Sequence, residues 1–173
     1  MEIEQIKALI RDVPDFPEPG IVFKDITPVL AHPDAMPTIV DLFVVHFGRG
    51  TVDKVVGIEA RGFILAAPVA YHFNAGFVPI RKEGKLPWET ESEQYELEYG
   101  TATIELHKDA IAQGERVLIV DDVLATGGTA RAAASLVERI GGKVCGIACL
   151  IELGFLKGRD KLQDYELFTL IEY

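Results

Sequence analysis

Two adjacent carboxylates followed by a glycine turn are the residues of this sequence best placed to do chemistry. Asp121 and Asp122 come directly after the apolar run 117–120, which we expect to form a strand buried on both faces. The turn 125–129 reads Ala-Thr-Gly-Gly-Thr, and apolar residues then recur at the spacing of one helix face until Gly141. A glycine turn at a helix N-terminus presents backbone N–H groups and the positive end of the helix dipole. The segment therefore predicts an anion-binding site.

The acidic pair restricts what that site can hold. Two carboxylates beside a phosphate would repel it, so they must engage another group, such as sugar hydroxyls or a bound cation. A Walker-type ATP site would need a lysine in the turn, and residues 125–129 include none. A glycine turn alone would leave an ordinary strand-to-helix loop as the alternative, and the two aspartates make that alternative weaker.

The stretch from Val117 to Thr129 resembles the motif with which the type I phosphoribosyltransferases bind 5-phosphoribosyl 1-pyrophosphate (PRPP). The resemblance implies that the acidic pair contacts the 2′- and 3′-hydroxyls of the ribose. It also implies that the turn holds the 5′-phosphate of PRPP. The turn residues concerned are Ala125, Thr126, Gly127, Gly128 and Thr129.

Composition limits the classes of protein that remain. A chain of 173 residues fits one domain with a sizeable core. Its net charge of −10 argues against a general nucleic-acid binder, and it means that an anionic ligand such as PRPP needs a locally basic site. The N-terminus is acidic and amphipathic, unlike a signal peptide, and no apolar run approaches membrane length. We expect a cytoplasmic protein without membrane contact.

The two cysteines fit a reducing compartment. Cys145 and Cys149 fall in the predicted strand 143–151, on one face and about 13 Å apart at roughly 3.3 Å per residue. That separation is too long for a disulfide, so we expect both residues to be small buried hydrophobes.

Basic residues follow two further predicted strands. The strand 54–58 is followed by Glu59-Ala60-Arg61-Gly62, and the strand 76–80 by a turn with three cations. A helix start in solvent and a solvated turn are the simpler interpretations of these segments. Both segments also resemble the pyrophosphate-binding loops of the same family. The resemblance implies a cis peptide bond between Glu59 and Ala60, a catalytic role for Arg61, and PRPP binding by Glu59, Arg61, Arg81, Lys82 and Lys85.

The N-terminal part carries a resemblance to the adenine-specific branch of this family. Apolar residues from 3 to 13 predict a first helix that stops at Pro14, and the stretch 19–28 resembles the hood of that branch. By that resemblance Phe23 stacks on the purine, while backbone atoms of Val22 and Lys24 bind its edge. Leu153 packs on the opposite face of the base. An edge segment that merely covers the core is the alternative.

A polar hairpin from 82 to 105 has the composition of a lid. It contains Leu97-Glu98-Tyr99-Gly100, which resembles the lid signature of the adenine-specific branch. The resemblance implies that Glu98 and Tyr99 take part in catalysis, with Glu98 as the group that shares a proton with the purine. A charged hairpin that only decorates the surface is the alternative.

These segments together predict an α/β fold, with a mostly parallel twisted sheet flanked by helices. Residues 1–173 would form a single phosphoribosyltransferase domain, with a small N-terminal hood (1–32, with a contribution from 153–157) and a β-hairpin lid (82–105). Right-handed crossovers would bring the motifs that follow the core strands to one edge of the sheet.

The resemblance implies transfer of the phosphoribosyl group from PRPP to adenine, which gives AMP and pyrophosphate in purine salvage. Mg²⁺ would enter as Mg–PRPP with no direct protein ligand, and a contact through water to Asp121 or Asp122 stays open. The family implies a homodimer. A phosphoribosyltransferase for another base (xanthine, hypoxanthine-guanine or orotate) and a PRPP-sensing regulator without catalysis are the alternatives.

Overall fold

The computed structural model describes residues 1–97 and 100–173. The described helices are α1 Ile3–Leu9, α2 Thr27–Ala31, α3 Ala35–Phe47, α4 Arg61–Phe73 and α5 Gly128–Arg139, with 3₁₀ helices at Gly154–Leu156 and Gly158–Leu162. The strands are β1 Arg11–Pro14, β2 Val22–Asp25, β3 Lys54–Ile58, β4 Gly76–Lys82, β5 Thr90–Glu96, β6 Thr101–His107, β7 Arg116–Leu124, β8 Lys143–Glu152 and β9 Leu167–Glu172.

A seven-stranded sheet in the order β5-β6-β4-β3-β7-β8-β9 forms the centre of the fold. The five strands β4, β3, β7, β8 and β9 are parallel, and β5 and β6 run antiparallel at one edge. The hairpin joins the sheet through β6, whose Glu105 pairs with Arg81 of β4. The mostly parallel α/β architecture predicted from the strand pattern is therefore confirmed.

Apolar side chains fill both faces of this sheet. On one face α3 and α4 contribute Phe43 and Leu65 to a cluster with Leu118 of β7, and all three are fully buried. On the other face α5 contributes Leu136 to a cluster with Ile119. Strands covered on both faces read as continuous apolar runs, which is why the core strands were visible in the sequence. Within the described part of the chain, no helix has the length and hydropathy needed to cross a bilayer.

Strands β3 and β7 separate at the position of the acidic pair. The last pair between β3 and β7 is Gly57 with Val120, whereas β7 stays paired with β8 as far as Leu124. Asp121 and Asp122 therefore belong to the strand, and the expectation that they follow its end is corrected. Because β8 offers a partner and β3 does not, one side of β7 is open along this stretch.

The N-terminal segment differs from the single helix predicted up to Pro14. Helix α1 ends at Leu9, and Val13 lies in β1, which pairs with β2 through Phe23. The apolar spacing from 3 to 13 fits the period of a helix. Val13 instead joins a strand because it pairs with Phe23, and the spacing of neighbouring residues cannot reveal that partner.

A β-bulge separates the two cysteines. Strand β8 shifts register where Val117 pairs with Val144 and Leu118 with Gly146, so Cys145 is the extra residue. An inserted residue inverts the alternation of side chains, and Cys145 packs against the α3–α4 side while Cys149 packs against the α5 side. The prediction that both face the same way is wrong. Both thiols are free, and burial raises the pKa of Cys145 to about 11.

Burial along α1 can be tested with two identical substitutions. Ile6 is 1% exposed and Ile3 is 38% exposed in the same helix. Ile6→Ala should lower the free energy of unfolding by about 2–5 kcal/mol because it leaves a cavity in the core. Ile3→Ala, the matched control, should lower it by less than about 1 kcal/mol. Urea denaturation of both variants measures the difference, and equal losses would contradict the placement of α1.

Candidate active site

A cleft of about 510 Å³ opens at the carboxyl ends of β3 and β7. Its walls come from the β1–β2 hairpin, the loop after β3, the start of α4, the end of β7 and the β5–β6 hairpin. Open parallel sheets bind ligands at this position, outside the carboxyl ends of their strands. The lining residues are Ile21, Val22, Phe23, Lys24, Ile58, Glu59, Ala60, Arg61, Ile80, Lys82, Tyr95, Ile104, Asp121, Asp122, Val123, Ala125, Thr129 and Leu153.

The two aspartates on the floor of the cleft have different electrostatic surroundings. Asp122 is 5% exposed, and its carboxylate forms an ion pair with Arg61. Asp121 accepts a hydrogen bond from the Asp122 backbone N–H at 2.9 Å. Burial and the neighbouring Asp122 charge raise the pKa of Asp121 well above its usual range. The pair therefore contains one carboxylate in an ion pair and one whose raised pKa disfavours ionisation.

Gly62 lets α4 approach the acidic pair. A Cβ on Gly62 would lie 2.8 Å from Asp121 Oδ1 and 3.1 Å from the Val120 carbonyl oxygen. Only a glycine fits between this helix and β7, and the preceding residue is Arg61, the partner of Asp122. The short Arg61–Gly62 sequence thus places a guanidinium directly at the split in the sheet.

The turn after β7 forms a smaller cavity of about 70 Å³ that adjoins the cleft. Residues 125–129 line it, and α5 begins at Gly128. Gly127 has φ +79°, in the left-handed region that glycine adopts without strain. Thr129 Oγ1 donates a hydrogen bond to Tyr95 Oη at 3.1 Å. The start of α5 and the two threonines thus line a small cavity at a helix N-terminus, which is a position suited to a phosphate.

Glu59 gathers basic groups beside the cleft. Its carboxylate accepts hydrogen bonds from Lys85 Nζ at 2.5 Å, from the Lys82 backbone N–H at 3.0 Å and from Arg81 Nε at 3.3 Å. These bonds, with the Lys85 ammonium as the largest contribution, lower the pKa of Glu59 to about 2. The peptide bond between Glu59 and Ala60 is cis, as the family resemblance implies.

The β1–β2 hairpin presents an aromatic ring and backbone groups to the cleft. The Phe23 ring meets Phe16 edge to face at 5.2 Å, and the Arg61 guanidinium lies 5.1 Å from its centroid. The Lys24 ammonium bonds Asp12 Oδ1 at 2.6 Å and lies 3.7 Å from the centre of the Tyr173 ring. Since these partners hold the Lys24 side chain, its backbone atoms are what Lys24 can offer to a ligand.

Most residues predicted for the site meet in this region. Those that line the cleft are Val22, Phe23, Lys24, Glu59, Arg61, Lys82, Asp121, Asp122, Ala125, Thr129 and Leu153. Thr126, Gly127 and Gly128 line the adjoining small cavity. Arg81 and Lys85 bind Glu59 and do not line the cleft. Glu98 and Tyr99 lie outside the described residues.

Tyr95 and Gly158 are among the residues of this region that were not anticipated as part of the site. Tyr95 lay within the predicted lid 82–105 without an assigned role, and the alternation of β5 turns it inward, towards Thr129. Gly158 packs its backbone against the turn, because a Cβ on Gly158 would lie 2.9 Å from the Gly127 nitrogen and would collide with the Ala125 carbonyl oxygen. No local sequence pattern signals that contact.

Comparison with known proteins agrees with this geometry. The family model of the phosphoribosyl transferase domain matches residues 29–172. A curated adenine phosphoribosyltransferase of Thermobifida fusca is 61% identical over 165 residues, which cover 95% of this chain and 94% of that protein.

Solved structures give the same result. The crystal structure of adenine phosphoribosyltransferase from Rhodothermus marinus has a TM-score of 0.95 at 56% identity, covering 99% of this chain and 98% of that one. The Saccharomyces cerevisiae enzyme, crystallised with an imino-altritol bisphosphate and adenine, has a TM-score of 0.92 at 41% identity, covering 97% of each chain. The chain therefore belongs to the phosphoribosyltransferase family and, within it, to the adenine phosphoribosyltransferases.

Proposed function

We propose that this chain transfers the 5-phosphoribosyl group from PRPP to adenine and releases pyrophosphate and AMP, a reaction of purine salvage. One observation carries the proposal: a single cleft is lined both by the Phe23 hairpin and by the acidic pair, and the small cavity of the glycine turn adjoins it. The yeast relative, which shares this fold, was crystallised with a bisphosphate and adenine bound together.

The turn after β7 binds the 5′-phosphate in this proposal. The start of α5 lines the small cavity, where backbone N–H groups and the Thr126 hydroxyl are donors, and Thr129 can add its own hydroxyl by releasing Tyr95. Charge-assisted bonds from such donors are stronger than neutral ones, and several together fix the orientation of the sugar. Anchoring the remote phosphate supplies binding energy that positions the anomeric carbon for reaction.

The acidic pair orients the ribose. A carboxylate accepts hydrogen bonds from hydroxyl groups, and two neighbouring carboxyl groups match two neighbouring hydroxyls. Asp122 forms an ion pair with Arg61, which offsets its negative charge. Asp121, with its raised pKa, can accept from a hydroxyl without adding a full negative charge beside the phosphate.

Basic groups at the cleft receive the pyrophosphate. Arg61 and Lys82 line the cleft, and Glu59 holds Arg81 and Lys85 next to it. Pyrophosphate can compete with Glu59 for these cations when PRPP binds. The leaving group is then stabilised by cations that Glu59 has already placed beside the cleft.

Mg²⁺ enters as Mg–PRPP in this proposal. No group of three or more metal-ligating side chains occurs in the part of the chain that the structure describes. Mg²⁺ is commonly held by substrate phosphates, waters and one or two carboxylates, and Asp121 on the cleft floor fits a contact through water. The bound ion would neutralise charge on the pyrophosphate.

Backbone groups of the β1–β2 hairpin select adenine. Val22 pairs with Pro14, and a proline has no N–H, so the Val22 carbonyl receives no hydrogen bond from its partner residue. That carbonyl suits the exocyclic amine of adenine, which is a donor. Hypoxanthine and guanine carry a carbonyl acceptor at the same place. Phe23 and Leu153 contact the two faces of the base in this arrangement.

A proton must leave N9 of adenine as that nitrogen attacks the anomeric carbon. The turn carries Ala125 where hypoxanthine-guanine relatives have an aspartate, so the turn cannot supply the acid or base. We propose Glu98 for this role, with Tyr99 and Arg61 beside the reacting groups.

Residues 82–105 act as a lid that excludes water, and residues 1–32 with 153–157 form the hood over the base. Closure of the lid would raise the pKa of the Glu98 carboxyl group and let that group share a proton with the purine.

A homodimer is the expected assembly, and exposed apolar side chains on α3, α4 and β4 offer an interface for it. Val45 is 78% and Tyr71 83% exposed, and Ile64 and Phe77 are also exposed. Ile64 and Tyr71 lie two turns apart on the same side of α4. A cytoplasmic location stays a prediction from the sequence.

The choice of base tests the function. With PRPP and Mg²⁺, we expect pyrophosphate release with adenine to exceed release with hypoxanthine or guanine by about one to two decades in kcat/KM for each mismatched polar group. Comparable values for two purines would contradict the assignment to adenine. Release with none of the bases, together with PRPP binding, would favour a PRPP sensor.

Two substitutions separate proton transfer from PRPP binding. Glu98→Gln should lower kcat by about 10²–10⁴-fold, the usual range for loss of general acid–base catalysis, with little change in the KM for PRPP. Asp122→Asn should instead raise that KM, since it removes a ribose contact and the partner of Arg61. Glu96→Gln, which changes an exposed carboxylate on the same hairpin, is the control. Normal turnover of Glu98→Gln would assign the proton to water or to the backbone.

The assembly is tested by a charge on the apolar surface. Sedimentation should give the mass of two chains for the wild type and a shift towards one chain for Tyr71→Asp, because burying a carboxylate without a partner is costly. Phe155→Asp, at a side chain that is 70% exposed elsewhere, should leave the dimer intact. A monomeric wild type, or equal dissociation of both variants, would contradict this interface.

A further inference from the structure

Glu152 is a buried carboxylate directly behind the phosphate-binding turn. It is 5% exposed and is the last residue of β8, where it pairs with Leu124 of β7. Leu124 is followed at once by Ala125, the first residue of the turn. Glu152 does not line the cleft or the small phosphate cavity, so its buried charge needs another explanation.

The carboxylate of Glu152 is fully engaged by two partners. Arg159 Nε donates to Glu152 Oε1 at 3.0 Å, and a second guanidinium nitrogen binds Oε2. Thr169 Oγ1 donates to Oε2 at 2.8 Å. These bonds, led by the one from Arg159, lower the pKa of Glu152 despite its burial. A two-point bond of this kind fixes the direction of the guanidinium as well as its position.

Arg159 connects this ion pair to the turn. It lies in the 3₁₀ helix Gly158–Leu162, next to Gly158. The Gly158 backbone touches the turn so closely that a Cβ on Gly127 or on Gly158 would collide with the opposing carbonyl oxygen. Leu162, at the other end of the helix, is buried in the core cluster of α5. The 3₁₀ helix is therefore held at both ends and supports the turn from behind.

We propose that the Glu152–Arg159 ion pair is the positioning element of the phosphate-binding turn, which it sets to receive the 5′-phosphate of a phosphoribosyl ligand. The inference rests on the proposed function for the identity of that ligand. Neither residue touches the substrate. Their effect passes through the Gly158 backbone, which determines where Ala125 and Gly127 lie. Loss of the pair leaves the donors of the turn present but misplaced.

A second bidentate ion pair provides a matched control. Arg116, the first residue of β7, donates to Asp53 at 2.9 Å from Nε and at 2.8 Å from Nη2. It lies at the amino end of the same strand, away from the turn. Asp53→Asn and Glu152→Gln each remove a carboxylate from a bidentate pair, one beside the amino end of β7 and one beside its carboxyl end, and only the second supports the turn.

The experiment measures phosphate recognition apart from base recognition. Calorimetry gives the Kd of ribose 5-phosphate for the wild type, Glu152→Gln and Asp53→Asn, and steady-state kinetics give kcat and the KM values of PRPP and adenine. For Glu152→Gln we expect the ribose 5-phosphate Kd and the PRPP KM to rise together by about 3- to 30-fold. The adenine KM and kcat at saturation should stay within about twofold. Asp53→Asn should leave all four values near those of the wild type.

Two results would overturn the proposal. The first is an unchanged ribose 5-phosphate Kd in Glu152→Gln. The second is a loss of adenine binding and kcat as large as the loss of phosphate binding, which would indicate general destabilisation. If Glu152→Gln does not fold, Thr169→Val removes one bond to the same carboxylate and should shift the same two constants by a smaller factor, whereas no shift would overturn the proposal. Wild-type protein that binds ribose 5-phosphate but does not use adenine would refute the proposed function without affecting this test.

Discussion

The ion pair between Arg61 and Asp122 is the interaction on which the rest of the site depends. The chain has a net charge of −10 and sets two carboxylates beside an anion-binding turn. Two unit charges about 4 Å apart interact by about 4 kcal/mol at an effective dielectric constant near 20. A helix N-terminus contributes only about 0.3–1 kcal/mol towards a nearby anion. The dipole of α5 alone could not offset a repelling carboxylate, so compensation of Asp122 by Arg61 is a condition for binding phosphate here.

Most of the fold could be predicted from the sequence because the core strands are covered on both faces. Such strands appear as unbroken apolar runs, and strand β3 was predicted to the residue. The end of β7 was not predictable, since whether Asp121 and Asp122 continue the strand depends on β8 as a partner. The bulge at Cys145 was hidden for a similar reason, because side-chain period alone does not reveal an inserted residue.

The residues of the site also divide into those that the sequence reveals and those that it does not. Those in contiguous motifs, such as the turn 125–129, were identified because their chemistry is local: glycine for a left-handed φ and threonine for a hydroxyl. Tyr95 and Gly158 act on the same turn through contacts distant in sequence. Glu59 shows the remaining difficulty, because the cations at the end of β4 and just after it were visible but their common partner was not. Only the fold reveals which charges compensate one another.

The two halves of the site differ in how firmly they are built. The phosphate side rests on β7, α5 and the 3₁₀ helix behind Gly158, all tied into the core of the sheet. The base side rests on the two-stranded β1–β2 hairpin, and an isolated hairpin is at best marginally stable in water. That hairpin is held by side-chain contacts such as Lys24 with Tyr173 and Phe16 with Phe23. The donors of the phosphate side are thus held in place by the core before any ligand binds, and preorganised donors lose less entropy on binding than groups that must first be ordered.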